Sequence, residues 1–243
     1  GVMLASAMRT YANRYAAAAG KSIIVFTNND SGYRTARGMA AHGVHVEAII
    51  DSRGASNADA AGIPVLRDSR VVAVHGGKRV NGIKIEQASE VFHSSLPCDA
   101  LAMSGGWSPV VNLMCHRGAK PAWNEKIAGF VPPDVGDEFV AAGSAAGKML
   151  LSECLADGAA KGAFKSKAPA IPKCRDEAFA ISPLWWVKQS TGKAFIDYQN
   201  DVTPKDLPLA ARECLPLVRY LQIWVRLFWP MKRCWLAELG CCQ

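Results

Sequence analysis

The residues from Lys21 to Asp51 have the types and the order of a dinucleotide-binding unit. A short apolar run, a polar turn, a helical stretch and a second apolar run follow one another at 22–26, 27–32, 33–42 and 44–50. Asp51 ends the second run, where an acid accepts the ribose hydroxyls in half of a Rossmann fold. An acid at this position can also be an ordinary polar residue at the end of a strand. Whether the unit binds a dinucleotide therefore depends on the turn between the strand and the helix.

That turn lacks the glycines that bind phosphate. When the pattern G-x-G-x-x-G is laid on it, the glycine positions fall on Thr27, Asn29 and Gly32, so only the third is kept. The third glycine lets the helix pack on the strand, whereas the second lets the backbone approach the pyrophosphate. Asp30 adds negative charge where a phosphate would lie. The sequence therefore predicts the fold of a dinucleotide domain but not its binding, and favours Asp51 as a polar strand end.

Composition and charge exclude several other classes of function. Half of the 243 residues are hydrophobic and a fifth are charged, which is ordinary for a globular domain. No apolar run approaches the ~20 residues that span a bilayer, so we expect no membrane segment and a cytoplasmic chain that continues upstream of Gly1. The net charge is +7, but the basic residues form no stripe, so we expect no nucleic-acid partner.

No pattern in the chain predicts a metal site or a catalytic residue. Four of the eight cysteines crowd the last thirty residues, no C-x-x-C is present, and the histidines share no spacing (His42, His45, His75 and His93). Cys115 and His116 invite a nucleophile–base pair, but adjacent residues rarely face each other, which favours a structural loop. Trp185 and Trp186 could stack on a cofactor, although a double tryptophan in an apolar run more often lies in a core or a subunit interface, and we favour the interface.

The elements around the unit predict a larger, two-part architecture. We expect an amphipathic helix over 2–18 with Leu4, Met8, Tyr11 and Tyr15 on its packed face, a hairpin or meander at 71–86, and a strand at 98–103. A strand at 139–142 and a helix at 148–156 are expected to flank G-S-A-A-G. This order is that of a second dinucleotide domain inserted into a first one, as in flavoprotein reductases with two dinucleotide domains.

The two glycine turns after strands are the candidate cofactor site. The carboxyl ends of strands in α/β sheets bind ligands, and a helix N-terminus offers N–H groups to phosphate oxygens. The alternative, with a prior of about one in three, is that these glycines only form tight turns. The predicted cofactor-binding residues are Ser104, Gly105, Gly106, Trp107, Gly143, Ser144, Ala145 and Ala146.

Several long motifs identify a family. The runs V-F-T-N-N-D-S-G-Y-R-T-A, M-S-G-G-W-S-P-V-V-N-L, C-H-R-G-A-K-P and G-K-A-F-I-D-Y-Q-N-D-V-T resemble the α subunit of heterotetrameric sarcosine oxidase, from Gly1 to about Glu213. The resemblance implies an α/β, Rossmann-like FAD/NAD(P)-binding fold that is incomplete here, with a small α+β domain. It implies four ranges: a degenerate dinucleotide-like domain, the return half of the first domain, a connecting domain and an aberrant tail (1–97, 98–163, 164–213 and 214–243).

The resemblance also implies an oxidoreductase that converts sarcosine to glycine with tetrahydrofolate as the one-carbon acceptor. NAD would bind in the α subunit, and FAD and FMN would belong to the intact complex, with no cofactor certain for this segment alone. The β, γ and δ subunits would be its partners, and the segment alone would be inactive. A related amine or opine dehydrogenase, a cyanide-forming oxidase subunit, and a non-catalytic interaction fragment stay open as alternatives.

The last thirty residues depart from the family pattern, and we expect a frameshift after Glu213. The family continues A-A-R-E-G-F-R-S, whereas this chain has A-A-R-E-C-L-P-L. Codons for Leu215–Pro216–Leu217 that are read one base off can encode Phe-Arg-Ser. Sequencing the genomic DNA across codons 213–220 tests this prediction. Absence of G-F-R-S and folate-domain sequence from every alternative frame there would refute it.

Overall fold

The computed structural model describes most of the chain up to residue 206. It covers residues 1–87, 90–116, 118–133, 136, 139–163, 166–190, 192–195 and 202–206, with only the backbone of 90–94. The chain divides into two compact units, residues 1–190 and 191–243. The frameshift prediction concerns residues outside the described part.

The described residues of the first unit form ten strands and four α-helices. The strands are β1 (Val2–Leu4), β2 (Ser22–Thr27), β3 (His45–Asp51), β4 (Val65–Leu66), β5 (Ser69–Gly76), β6 (Val80–Gln87), β7 (Glu90–Leu96), β8 (Ala100–Ser104), β9 (Ala122–Asn124) and β10 (Gly129–Val131). The helices are α1 (Ala5–Tyr15), α2 (Ser31–Ala41), α3 (Asn112–Cys115) and α4 (Leu151–Gly162), with a 3₁₀ turn at Gly143–Ala146.

A parallel sheet lies at the centre of this unit. Its five strands are ordered β1-β8-β2-β3-β4, and all of their pairings are parallel. The carboxylate of Asp99 accepts hydrogen bonds from the N–H groups of Lys21 and Ser22 at 3.0 and 3.2 Å, which fixes β8 beside β2. The register pairs Thr27 with Ser104 and with Asp51, so the ends of three strands meet at one edge. This is the α/β, Rossmann-like arrangement that the sequence predicts.

Alternating side chains of β2 give the sheet two buried faces. Ile23 and Val25 belong to the cluster with α1 and α2, whereas Ile24 and Phe26 belong to the cluster with β6. The antiparallel sheet β5-β6-β7 covers that second face, and the two helices cover the first. A strand buried on both faces needs a continuous apolar run, which explains the sequence from Ser22 to Phe26. The result is a three-layer domain.

The amphipathic face predicted for the first helix is wrong in part. Residues Val2–Leu4 form β1, and α1 begins only at Ala5. The buried face of α1 is Ala5, Met8 and Ala12, whereas Leu4, Tyr11 and Tyr15 are at least half exposed. The small alanine side chains allow the helix to approach the sheet closely. Periodicity in large residues alone could not distinguish this face from the outer one.

The predicted elements around the second glycine turn also differ from the structure. The described residues 139–142 are not a strand, and α4 begins at Leu151 instead of Lys148. The helix continues beyond its predicted end at residue 156 as far as Gly162. Lys161 explains part of the extension: its Nζ reaches Asp157 at 3.0 Å and the carbonyl of Ala141 at 2.6 Å, so it stabilises the last turn.

The structure groups residues differently from the predicted ranges. The sheet crosses the expected boundary at 97/98, because β8 lies between β1 and β2. Residues 166–190 belong to the first compact unit, although the small connecting domain was expected to begin at 164. Assignment of these segments to the domains of the family stays a prediction. In the described part of the chain, no helix combines the length and the apolar character needed to cross a membrane.

The retained glycine of the turn is needed for packing, and substitution should show this. A Cβ at Gly32 would lie 2.5 Å from Cβ of Thr27 and overlap its Oγ1, while Thr27 itself is 1% exposed. We expect Gly32→Ala to lower the free energy of unfolding by about 1–3 kcal/mol, as overpacking does. Urea denaturation followed by circular dichroism measures the change.

Gly38→Ala on the same helix is the matched control. A Cβ there would meet Cδ of Arg9 at 3.9 Å, an ordinary contact, and alanine raises helix propensity by about 1 kcal/mol. The control should therefore stabilise the protein or leave it unchanged. Equal destabilisation by both substitutions would contradict the packing role of Gly32.

Candidate functional site

A buried ion network occupies the place of the ribose-binding acid. Asp51 is fully buried, and both of its carboxylate oxygens accept hydrogen bonds from Arg53, with Nη2–Oδ2 at 2.8 Å and Nε–Oδ1 at 3.0 Å. The hydroxyl of Tyr33 donates to Oδ2 at 2.7 Å. Arg53 also pairs with Asp30, with Nη1–Oδ1 at 2.8 Å. Asp51 is therefore a polar strand end committed to internal partners, as the sequence analysis favoured.

Burial and hydrogen bonding shift the pKa values in this network. Burial, together with the bond to Asp51, raises the pKa of Tyr33 above its usual value. Burial alone would lower the pKa of Arg53, but its bonds to Asp51 and Asp30 raise it. Tyr33 therefore stays a hydroxyl donor and Arg53 stays charged at neutral pH, which keeps the network intact.

A later part of the chain crosses the turn where a pyrophosphate would lie. This crossing segment, residues 176–182, makes an antiparallel bridge between Ile181 and Asn29. The carbonyl of Ala180 accepts hydrogen bonds from the N–H of Asp30 at 3.1 Å and from Nη1 of Arg53 at 2.9 Å. The N–H of Ser182 donates to the carbonyl of Asn28 at 3.0 Å.

These contacts explain why the turn does not fit a dinucleotide. In a Rossmann unit a phosphate oxygen accepts hydrogen bonds from N–H groups at the start of the helix. Here the carbonyl oxygen of Ala180 accepts from the N–H of Asp30, and the neighbouring carboxylate would repel a phosphate. The N–H groups of residues 28–31 are already bonded within the chain itself. The loss of dinucleotide binding predicted from Thr27 and Asn29 stays a prediction.

A cleft of about 570 Å³ lies beside this turn. Trp107 and Ser144–Ala145, from the two predicted glycine turns, both line it. Ser31 at the start of α2 lines the same cleft, and so do residues of the crossing segment. The size falls in the range of small-molecule sites. Residues from both turns therefore line one cleft, although Trp107 and Ser144 are 37 positions apart in the chain. Cofactor binding by these residues stays a prediction.

The other predicted cofactor residues do not line the cleft. Ser104, Gly105, Gly106, Gly143 and Ala146 are not among the residues that line the cleft. Ser104 bonds Asn29, and a Cβ at Gly106 would overlap Cδ1 of Ile181. Gly106 has φ of 107°, in the region that favours glycine, so it forms a tight turn that Ile181 packs against.

Asp157 holds the second turn in place. Its Oδ2 accepts a hydrogen bond from the N–H of Gly143 at 2.8 Å, and Lys161 pairs with the same carboxylate. Burial works against the charge of Asp157, but the bonds from Lys161 and Gly143 hold its pKa below the usual range. Gly143 and Gly147 have φ of 61° and 85°, which ends the 3₁₀ turn sharply on both sides. The turn at 143–146 is therefore fixed from α4.

Basic side chains around the cleft were not singled out from the sequence. Arg9, Arg34, Lys148 and Arg175 line it, and they come from α1, α2, the link to α4 and the chain just before the crossing segment. The acids that line it are Asp30, which is held by Arg53, and Glu177, which lies 3.4 Å from Arg34 and 3.8 Å from Arg37. Burial and the charge of Arg34 lower the pKa of Arg9. The cleft therefore favours an anionic ligand.

The remaining candidate residues lie apart from the cleft. Cys115 ends α3 and His116 follows it, exposed, with both N–H groups bonded within the helical turn. His42 bonds Asn13 at 2.7 Å and His45 pairs with Glu47 at 3.4 Å, while the side chain of His93 is outside the described part. Among the described residues, no three potential metal ligands come together.

The double tryptophan lies at the surface of an aromatic group. The rings of Trp185 and Trp123 are 5.8 Å apart, and Phe130 packs edge-on against Trp123 at 5.2 Å. Trp185 and Trp186 keep 52% and 45% of their surface exposed, which is compatible with the predicted subunit interface. The interface itself stays a prediction.

Comparison with characterised proteins decides the family. The sarcosine oxidase α subunit of Rhizobium meliloti is 38% identical over 223 residues, which cover 88% of this chain and 22% of that subunit. The α subunits of two Corynebacterium strains, P-1 and U-96, are 31% and 32% identical over 91% of the chain. The chain belongs to the sarcosine oxidase α-subunit family. It spans about a quarter of the length of these relatives, and no protein-family model matches it.

Solved structures agree on the fold of this family segment. The L-proline dehydrogenase of P. horikoshii superposes with a TM-score of 0.54 at 15% identity, over 93% of this chain and 44% of that chain. A thioredoxin reductase of Lactococcus lactis gives 0.50 at 16% identity, over 68% and 57%. At these identities the likeness shows the fold alone. The fold is the Rossmann-like α/β fold, as predicted.

Removal of Arg53 should destabilise the family's segment strongly. Arg53→Met would leave the carboxylates of Asp51 and Asp30 buried without their counter-charge, so we expect a loss of about 3–5 kcal/mol in the free energy of unfolding. The double variant Arg53→Met/Asp51→Asn should recover part of the loss, because it removes one of the unpaired charges. Urea denaturation measures both.

Arg67→Met is the control, since Arg67 bonds the carbonyl of Ser56 from an exposed position. Its effect should stay within about 0.5 kcal/mol, as for surface substitutions generally. If Arg53→Met unfolds at the same urea concentration as Arg67→Met, the buried network is not what holds the turn closed.

Proposed function

We propose that this chain acts as a segment of the α subunit of a sarcosine-oxidising oxidoreductase and forms one wall of its NAD site. The supporting observation is the 38% identity to the Rhizobium meliloti α subunit over 88% of the chain. In this proposal the chain provides binding surface and no catalytic residue. Tetrahydrofolate accepts the one-carbon unit elsewhere in the complex, and the protein works in the cytoplasm.

The cleft, and not the turn at 27–31, suits a phosphate-bearing cofactor. Ser144 and Ala145 lie on a 3₁₀ turn anchored by Asp157, and Lys148 lies two residues after its end. Trp107 supplies a flat indole, 48% exposed, on which a ring can stack. The basic residues of the cleft would oppose the negative charge of a pyrophosphate. The positive charge of the cleft and the flat indole of Trp107 therefore fit NAD.

The chemistry itself belongs to the cofactors and to other parts of the complex. When bound, NAD supplies a ring that accepts hydride, and the flavins FAD and FMN supply the oxidation of the amine. The chain's own residues bind and orient: Lys148 and Arg34 face the charge, and Trp107 faces the ring. The crossing segment keeps water and nucleotides out of the degenerate turn.

The partners follow from the same proposal. The β, γ and δ subunits complete the complex, and the exposed pair Trp185–Trp186 marks the surface that meets one of them. Interfaces are enriched in tryptophan, and the ring contact of Trp185 with Trp123 keeps this surface ordered.

A chimeric oxidase tests the proposed function. Residues 1–213 would replace the matching segment of the Rhizobium meliloti α subunit, produced together with its partner subunits. We expect an assembled complex that retains NAD and consumes oxygen when sarcosine is added, at about a tenth or more of the parental rate. Proline and opines, tested as substrates in parallel, show whether the chimera has the activity of a related dehydrogenase.

Controls separate assembly from chemistry. The chimera with Arg67→Met should match the unmodified chimera, because Arg67 lies in an exposed position. Subunits that assemble without oxidising sarcosine would contradict the enzymatic role and favour an interaction fragment. Oxidation of proline in place of sarcosine would favour the related dehydrogenases.

A further inference from the structure

The hydroxyl of Ser31 connects the degenerate turn to Trp107 in the wall of the cleft. Ser31 Oγ donates to Oδ1 of Asn29 at 2.6 Å, and the indole N–H of Trp107 donates to Ser31 Oγ at 3.3 Å. Ser31 and Trp107 both line the cleft. The chain of bonds therefore runs from a fully buried amide to a half-exposed aromatic ring.

Asn29 is held in one orientation. Its Nδ2 donates to the carbonyl of Ser104 at 2.9 Å and to Oδ1 of Asn28 at 2.8 Å. Its Oδ1 accepts from both the N–H and the hydroxyl of Ser31. A side chain with 0% exposure and every polar atom bonded cannot turn without losing several hydrogen bonds. Asn29 is thus a rigid base for Ser31, at the position where a Rossmann turn has its second glycine.

The ring of Trp107 is about half exposed. Trp107 follows the tight turn at Gly106, and 48% of its surface is exposed. An indole has a single donor, and here that donor is bonded to Ser31. Loss of the acceptor would allow the ring to leave its place in the cleft, where the basic residues converge.

We propose that Ser31 is a positioning residue that holds the indole of Trp107 as a flat platform in the cleft, for the ring of an anionic cofactor. In this proposal the polar side chains of the turn shape the neighbouring site. The nature of the ligand rests on the proposed function. The position of Trp107 does not, because it can be measured on the chain alone.

Fluorine NMR of the 243-residue chain labelled with 5-fluorotryptophan tests the proposal. Trp107→Phe identifies the Trp107 resonance by its loss. Ser31→Ala should shift or broaden that resonance and leave the resonances of the other six tryptophans in place. Ser31→Thr, which keeps the hydroxyl, should return it towards the original position.

Iodide quenching of fluorescence gives a second reading. The emission of Trp107 is the part of the fluorescence that Trp107→Phe removes. Iodide should quench this part about twofold more strongly in Ser31→Ala than in the unmodified chain. Released from Ser31, the ring is more accessible to an anion that the basic cleft attracts. Acrylamide, which is uncharged, should show a smaller difference.

Ser56→Ala is the matched control, because the Ser56 hydroxyl bonds Asp30 at 3.1 Å and has no bond to Trp107. It should leave the Trp107 resonance unchanged. An unchanged resonance in Ser31→Ala, or the same shift in Ser56→Ala, would overturn the proposal. Inactivity of the chimeric oxidase together with the predicted shift would refute the proposed function and leave the positioning role supported.

Discussion

The buried guanidinium of Arg53 requires anionic partners within the protein, and residues at the carboxyl edge of the sheet supply them. Taking a charged group out of water costs several kcal/mol unless its hydrogen bonds are replaced. Asp51, Asp30 and the carbonyl of Ala180 replace them. These partners belong to the end of β3, the start of α2 and the crossing segment. One side chain therefore fixes three separate parts of the chain relative to one another, and the cleft forms beside them.

The network also explains how a dinucleotide turn can lose its ligand and keep its fold. The glycine that permits helix packing, Gly32, must stay, because Thr27 leaves no space for a Cβ. The second glycine, which lets the backbone approach a phosphate, is not required in a turn that binds no phosphate. Asn29 takes that position and fills it with side-chain hydrogen bonds. Selection for packing and selection for binding act on different glycines of one motif, so they can be lost separately.

The sequence predicted what depends on local pattern and failed where distant residues decide. The strand–turn–helix–strand unit and the hairpin followed from apolar runs and glycine turns. The role of Arg53 did not, because Ala180 lies 127 positions further along the chain and an arginine two residues after a strand is usually solvated. The buried face of α1 was missed because Ala5 and Ala12 pack closely where larger side chains were expected. The basic residues of the cleft come from four elements, and no spacing could reveal that they converge.

The closed turn and the cleft depend on each other. A nucleotide that entered the turn would have to displace the Ala180 carbonyl from Arg53 and from the N–H of Asp30. Residues 177–179, immediately before Ala180, line the cleft, so displacement of the crossing segment would also move the cleft's wall. Glu177 would leave Arg34 and Arg37, and the separation of those charges adds to the cost. A phosphate gains little in return, since Asp30 lies at the helix start where the positive end of the dipole would otherwise attract it. Occupation of the turn and an intact cleft therefore exclude each other, and the chain's own hydrogen bonds favour the cleft.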